Sequence, residues 1–181
     1  MTRPRVRRRV ASLDRSAYDA VAGMYIPGLD RPLRQVSDFA NFSKPWLLIA
    51  AALALFGGPR GRRAAVTGAV AIGLTSLVVN QPMKLLAERR RPDRMQLGVP
   101  ESRWVPMPSS TSFPSGHAAS AAAFAVSVGD VLPKLRLPLR AAAAVVAFSR
   151  VYTGVHYPGD IVVGAAVGAL LGHATSTVAR A

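Results

Sequence analysis

The sequence contains no cysteine, so disulfides, thiolate-bound metals and a cysteine nucleophile are all excluded. Acidic residues are scarce: nine Asp and Glu stand against 23 Lys and Arg in 181 residues. The nine are scattered singly, without the paired aspartates that hold magnesium at a phosphate site. Three histidines, His117, His156 and His173, are too few and too dispersed for a zinc cage. The expectation is a site that works without a metal or any other cofactor. Aromatics amount to 7% and do not interleave with the basic residues, so nothing supports stacking on bases, and nucleic acid is not an expected partner.

What is present points to a membrane. Half of the chain is hydrophobic and only 18% is charged, yet the formal net charge is +14. The apolar residues are gathered into long uncharged runs, the arrangement of transmembrane helices with basic flanks. The spacing predicts five crossings. The first runs from about Phe39 to Gly57-Gly58-Pro59, with an uncharged core from Pro45 to Gly58 that falls short of the ~20 residues needed to cross. The second is Ala64–Met83, the third Gly116 to about Leu132, the fourth Pro138–Tyr152 and the fifth Ile161–Ala179. Gly164, Gly168 and Gly172 recur every fourth residue along the fifth, which predicts a smooth face for a closely packed neighbour.

Ahead of these spans, residues 1–9 carry five arginines, with no apolar stretch behind them to make a cleaved signal. They are expected as a solvated basic arm able to touch anionic headgroups. Ser12–Gln35 is weakly amphipathic and broken by Pro27-Gly28 and Pro32, so short interfacial helices are expected there. The fold class is therefore all-α: a multi-pass transmembrane bundle of about five spans with an N-terminal interfacial helix. A basic arm with interfacial helices over 1–38 precedes one transmembrane domain over 39–181, and the expected location is the cell membrane.

Alternating crossings bring the segments Lys84–Ser115 and Arg150–Asp160 to one side of the bilayer, and they hold nearly every unusual polar residue. Pro92 makes Arg91 the expected last residue of the second helix. Lys84 and Arg91, seven apart, would then project from one face. Ser115 occupies an N-cap position, and the exposed N–H groups after it form an anion seat that Gly116 lets a ligand approach. Lys84, Arg91 and Arg150 supply positive charge suited to phosphate oxygens. His156 and Asp160 lie four apart, so a carboxylate can hold one imidazole nitrogen as N–H and leave the other free to attack phosphorus. His117 lies across the site as a general acid. Arg89 and Arg90 read mainly as a basic membrane flank, and His173 lies about 20 Å along the fifth helix from Asp160, too far to share the site.

Lys84-x6-Arg91-Pro92, then Pro114-Ser115-Gly116-His117, then Ser149-Arg150-x5-His156-x3-Asp160 resembles the three-part signature of the type 2 phosphatidic acid phosphatase superfamily. That resemblance implies a helical bundle, no required metal and a phosphohistidine intermediate on His156. It also implies Asp160 as the group that orients His156 and His117 as proton donor. Lys84, Arg91, Ser115, Gly116 and Arg150 are implied to bind the phosphoryl group. The expected activity is hydrolysis of a lipid phosphomonoester or diphosphate: phosphatidic acid, phosphatidylglycerol phosphate or a polyprenyl (di)phosphate. Two rival readings are an intramembrane serine hydrolase using Ser115 and a non-catalytic binder of anionic lipid.

Overall fold

The computed structural model describes residues 3–24 and 26–179. Among these residues every regular element is helical. Helix α1 (Arg3–Ala22) and α2 (Asp30–Phe39) lead through a single 3-10 turn (Asn41–Ser43) into α3 (Lys44–Phe56). Gly57-Gly58-Pro59 reverses the chain, Gly58 at a φ of 62° and Pro59 within the first turn of α4 (Gly58–Val78). Pro82 has no N–H to return to the preceding turn, and the helix widens there into a π-turn (Val79–Met83) before ending in α5 (Lys84–Leu86). A long loop follows, then α6 (Gly116–Val131), α7 (Arg136–Tyr152) and α8 (Pro158–Val178).

The five predicted crossings are thus all helices, close to their predicted limits. By length and composition two stretches can cross a bilayer alone, 58–86 and 158–178. Asp30–Phe39 and Asn41–Phe56 together make a third, bent by 69°. Helix α6, with 16 residues, is the hub of the bundle. Ala118, Ala119, Ala121, Ala123, Phe124 and Val128 are all buried. Phe124 stacks at 5.7 Å against Trp46 of α3, with Gly68 of α4 beneath it. The α6–α8 contact is the most extensive in the molecule. Gly164, Gly168 and Gly172 face the carbonyls of Ser115, Ala119 and Ala123, as the smooth-face reading anticipates. The bundle is apolar outside as well: Leu48 and Leu55 of α3, Val66 and Leu77 of α4, and Val162 and Leu170 of α8 are exposed. An apolar exterior of this extent belongs to a lipid-facing surface.

The arginine-rich arm is helical, the opening of α1, and its Arg5, Arg8 and Arg9 are exposed. Further along, α1 packs on the bundle: Tyr18 is fully buried, sits 5.3 Å from the Tyr157 ring, and packs with Ala22 against Val99 and Val151. Below it, Arg103 is buried against the Ala22 and Met24 carbonyls and the Asp30 carboxylate, which also accepts from Tyr152 at 2.6 Å. This knot fastens the long loop to both N-terminal helices.

Candidate active site

Lys84 and Arg91 do meet, but by a different route from the one predicted. The helix stops at Leu86, Ala87 turns extended (φ −117°, ψ 91°), and Arg91 reaches back from the loop. Both cations bind Ser110: Lys84 Nζ donates to its Oγ at 3.0 Å and Arg91 Nε to its carbonyl at 2.9 Å. Arg91 also donates to the carbonyls of Thr111 and Val155. The early helix end follows from these bonds, since a helical 87–91 could not deliver a guanidinium to Val155.

The last bond of Arg91 fixes the chemistry of His156. Its Nη1 lies 3.2 Å from His156 Nε2, and a guanidinium can only donate. Nε2 therefore carries the lone pair and Nδ1 the proton. Nδ1 faces Asp160 Oδ2 at 3.4 Å and Ser112 Oγ at 3.5 Å. Asp160 is fully buried and held on every side. Its Oδ2 accepts from Ser112 Oγ at 2.5 Å and from the Tyr157 N–H at 2.9 Å, while Oδ1 accepts from Arg89 at 2.8 Å. The Tyr157 contact explains why α8 starts where it does, because a side chain in the first turn returning to the N-cap N–H closes that end of the helix. Burial pushes the His156 imidazole down to about 4; the Asp160 hydrogen bond opposes the shift, and Arg91 and Arg150 add to it.

Opposite His156, Ser115 caps α6: its Oγ accepts from the Ala118 N–H, and its own N–H donates to the Asp160 carbonyl at 3.0 Å. Gly116 sits close to the π-turn: a Cβ there would lie 3.1 Å from Asn80 Oδ1. His117 donates from Nε2 to Asn41 Oδ1 at 2.9 Å. Lys84, Arg91, Gly116, His117 and His156 line one open cavity of about 300 Å³. Ser115, Arg150 and Asp160 stand behind its wall. Arg150 is buried, donating from Nη1 to the Ser37 carbonyl (3.0 Å) and hydroxyl (2.7 Å), while its Nε has no partner among the described residues.

All eight sequence-predicted site residues thus belong to one neighbourhood, five at the cavity and three supporting it. The arrangement offers a neutral imidazole with an outward lone pair, a second imidazole nearby and several fixed cations. Such a cavity can accept a phosphoryl group. Sequence reasoning missed Ser112, Asn41 and Ser37, which carry no motif of their own, and treated Arg89 as a membrane flank. A weak signal for Arg89 did exist, since an arginine beside a cluster of polar residues has partners within reach. His173 pairs with Asp130 at 3.0 Å, far along α8 from this cavity.

Comparison with known proteins agrees with this geometry. A family model described as the PAP2 superfamily matches residues 64–181. The decaprenylphosphoryl-5-phosphoribose phosphatase of Mycobacterium tuberculosis (strain ATCC 25618 / H37Rv) is 36% identical over 156 residues, covering 84% of this chain and 81% of its own. Aquifex aeolicus LpxE superposes with a TM-score of 0.72 at 23% identity, over 91% of this chain and 95% of that one. The transmembrane PAP2 type phosphatidylglycerolphosphate phosphatase from Bacillus subtilis gives 0.67 at 24% identity, over 94% and 86%. The solved structures establish likeness of fold, and the residues matched by the family model include Lys84, Arg91, Ser115, Gly116, His117, Arg150, His156 and Asp160. The chain belongs to the PAP2 superfamily.

Proposed function

We infer that the protein is a multi-pass phosphatase of the cell membrane, with five spans, that removes a terminal phosphate from a lipid carrier. The observation that carries this reading is the Arg91–His156–Asp160 line, which leaves the Nε2 lone pair directed at a cationic cavity. His156 Nε2 attacks phosphorus while the bond from phosphorus to the lipid-side oxygen breaks, and that oxygen takes a proton from His117. Water then attacks the phosphohistidine, gives its proton to His117, and the N–P bond breaks to release inorganic phosphate. Asp160 keeps Nδ1 protonated and stabilises the positive charge that develops on the ring. Lys84, Arg91 and the N–H groups after Ser115, with Gly116 open to the ligand, stabilise the equatorial oxygens, and Arg150 adds its charge from behind the cavity wall. His117 exchanges Asn41 for the leaving oxygen as the acceptor of its proton.

Likeness to a decaprenylphosphoryl-5-phosphoribose phosphatase over most of both chains favours a phosphomonoester on a polyprenyl-linked sugar within the broader class of lipid phosphates. The serine-hydrolase reading has less support, because Ser115 is fully buried with its Oγ engaged as a helix cap. The test is phosphate release from a panel of polyprenyl-linked sugar phosphates, polyprenyl diphosphates and phosphatidic acid, with chelator present. Release by the wild type and none by His156→Ala, with both variants equally folded, is the expected result. Equal release by the two proteins would remove the reading.

A further inference from the structure

Asp160 is gripped from a part of the chain that lies outside the family match. Its Oδ1 accepts from Arg89 Nη1 at 2.8 Å, and Arg89 Nη2 reaches Asp14 Oδ2 on α1 at 2.5 Å. The other oxygen of Asp14 accepts the N–H of Gly159 at 2.6 Å, one residue before Asp160. Arg89 also lies flat over the Tyr157 ring, 4.1 Å from its centroid, one residue after His156. Apart from the ion pair that joins them, the contacts of Arg89 and Asp14 named here end on the turn that carries His156 and Asp160.

We propose that Arg89, backed by Asp14, is a positioning residue that sets the Asp160 carboxylate against His156 and so makes helix α1 part of the catalytic machinery. The proposal rests on the phosphatase reading above. Oδ2 of Asp160 is shared by Ser112, the Tyr157 N–H and His156 Nδ1, whereas among the described residues Arg89 is the one side chain bonded to Oδ1. Without Arg89 the carboxylate can rotate about its Cβ–Cγ bond, and the Oδ2–Nδ1 alignment loosens. Misplacing a group that orients the nucleophile costs rate rather than ground-state affinity, because Arg89 and Asp160 do not line the cavity that receives substrate. A staple serving only the fold could have been placed anywhere along α1. Here Asp14 and Arg89 bond each other, and the remaining oxygen of Asp14 and the remaining terminal nitrogen of Arg89 both reach one turn. Residues 64–181 match the family model and Asp14 precedes them, so the coupling ties the N-terminal helix to the matched region that carries His156 and Asp160.

The experiment measures kcat, KM and the thermal midpoint of full-length protein in detergent micelles for wild type, Arg89→Gln, Arg89→Lys, Asp14→Asn and Arg89→Gln/Asp14→Asn. The substrate is whichever lipid phosphate the wild type hydrolyses in the panel above. Arg89→Gln should lower kcat roughly ten- to a hundredfold with KM changed less than about twofold, and Arg89→Lys should recover most of the loss. Asp14→Asn keeps an acceptor for Gly159 but weakens the hold on Arg89. It should lower kcat severalfold alone and add nothing in the Arg89→Gln background. A wild-type kcat in Arg89→Gln overturns the proposal. So does a loss that follows the thermal midpoint and is not rescued by lysine. Phosphate release that survives His156→Ala would instead overturn the functional reading, which keeps the two failures apart.

Discussion

Gly168 of α8 lies against Ala119 of α6 so closely that a Cβ at 168 would stand 2.0 Å from the Ala119 carbonyl oxygen. Backbone cannot retreat as a flexible side chain can. The N-termini of these two helices carry Ser115–His117 and Asp160, so their spacing sets the distance across the site.

Gly168→Ala should therefore lower stability by about 1–3 kcal/mol, the usual range for overpacking, and reduce turnover as the helices are pushed apart. Gly73→Ala on α4 is the control, since a Cβ there meets nothing within 4 Å. There the gain in helix propensity should leave the protein unchanged or slightly more stable. Thermal unfolding in detergent compares the two, and a Gly168→Ala midpoint no lower than that of Gly73→Ala would contradict the packing account.

Ser112 supplies Asp160 Oδ2 with a 2.5 Å hydrogen bond from inside the protein and lies 3.5 Å from His156 Nδ1. Ser112→Ala leaves the carboxylate with fewer donors but keeps Arg89 and the Tyr157 N–H. A charge-assisted bond of this kind contributes about 1.5–3 kcal/mol. If part of that is lost from the transition state, kcat should fall about tenfold, with substrate affinity retained because Ser112 does not line the cavity. Steady-state kinetics on the variant decides it.

How much of this was legible beforehand depends on whether a residue acts through its place in the sequence or through a partner far along it. The Lys84–Arg91, Ser115–His117 and Arg150–Asp160 groups are local spacings at helix ends, and hydrophobic runs mark those ends directly. The glycine stripe of α8 was legible for the same reason. Arg89 was not, because its meaning depends on Asp14 and Asp160, which lie 75 and 71 residues away. Asn41 likewise meets His117 across 76 residues. The end of α5 was misplaced since Pro92 marks the latest possible stop, while tertiary bonds to Ser110 and Val155 impose an earlier one.

Arg103 illustrates the same long reach in stability. It is 1% exposed and joins the Ala22 and Met24 carbonyls to Asp30, with its guanidinium 4.1 Å from the Tyr152 ring. Arg103→Ala leaves the Ala22 and Met24 carbonyls without this donor, leaves Asp30 with Ser102 and Tyr152 alone, and removes a group seated over a ring. Hydrogen bonds to a charged group contribute about 1.5–3 kcal/mol, so the thermal midpoint should drop by several degrees. A midpoint within a degree of wild type would show that the knot contributes nothing.

His156 gives a pH prediction with a definite sign. Burial holds its imidazole near 4, below the ordinary 6.5, so the folded protein keeps it neutral while the unfolded chain takes up a proton. Stability from this group is complete above about 6.5 and is lost as pH falls from there towards 4. In the folded state His156 stays unprotonated from pH 8 down to about 5. Nitrogen-15 spectra of histidine-labelled protein, with His156→Asn to assign the signal, should show no titration of this ring in that window. A midpoint near 6.5 would mean that the ring is solvated and the cavity wall is wrongly drawn.

Arg91 is the residue for which a conservative change should be most damaging. It makes five contacts from one planar group: the Ser110 carbonyl and hydroxyl, the carbonyls of Thr111 and Val155, and His156 Nε2. Lysine keeps the charge but cannot span those directions, so the loop at 110–111 and the turn at 155–156 lose their common tie. When a phosphoryl group enters, the Arg91–Nε2 contact must give way to attack on phosphorus, with Arg91 moving its donors to the equatorial oxygens. Orthovanadate mimics that five-coordinate state and should inhibit the wild type. An analogue of the transition state reports on transition-state contacts more sensitively than substrate affinity does. Arg91→Lys should therefore weaken vanadate inhibition and kcat/KM in parallel, each about a hundredfold, with KM moving far less. Lys84→Arg, which keeps a donor near Ser110 Oγ, should lose less on both measures. The ordering of the two variants in vanadate titrations is the decisive reading, because a purely electrostatic role for Arg91 would make its lysine variant the milder of the pair.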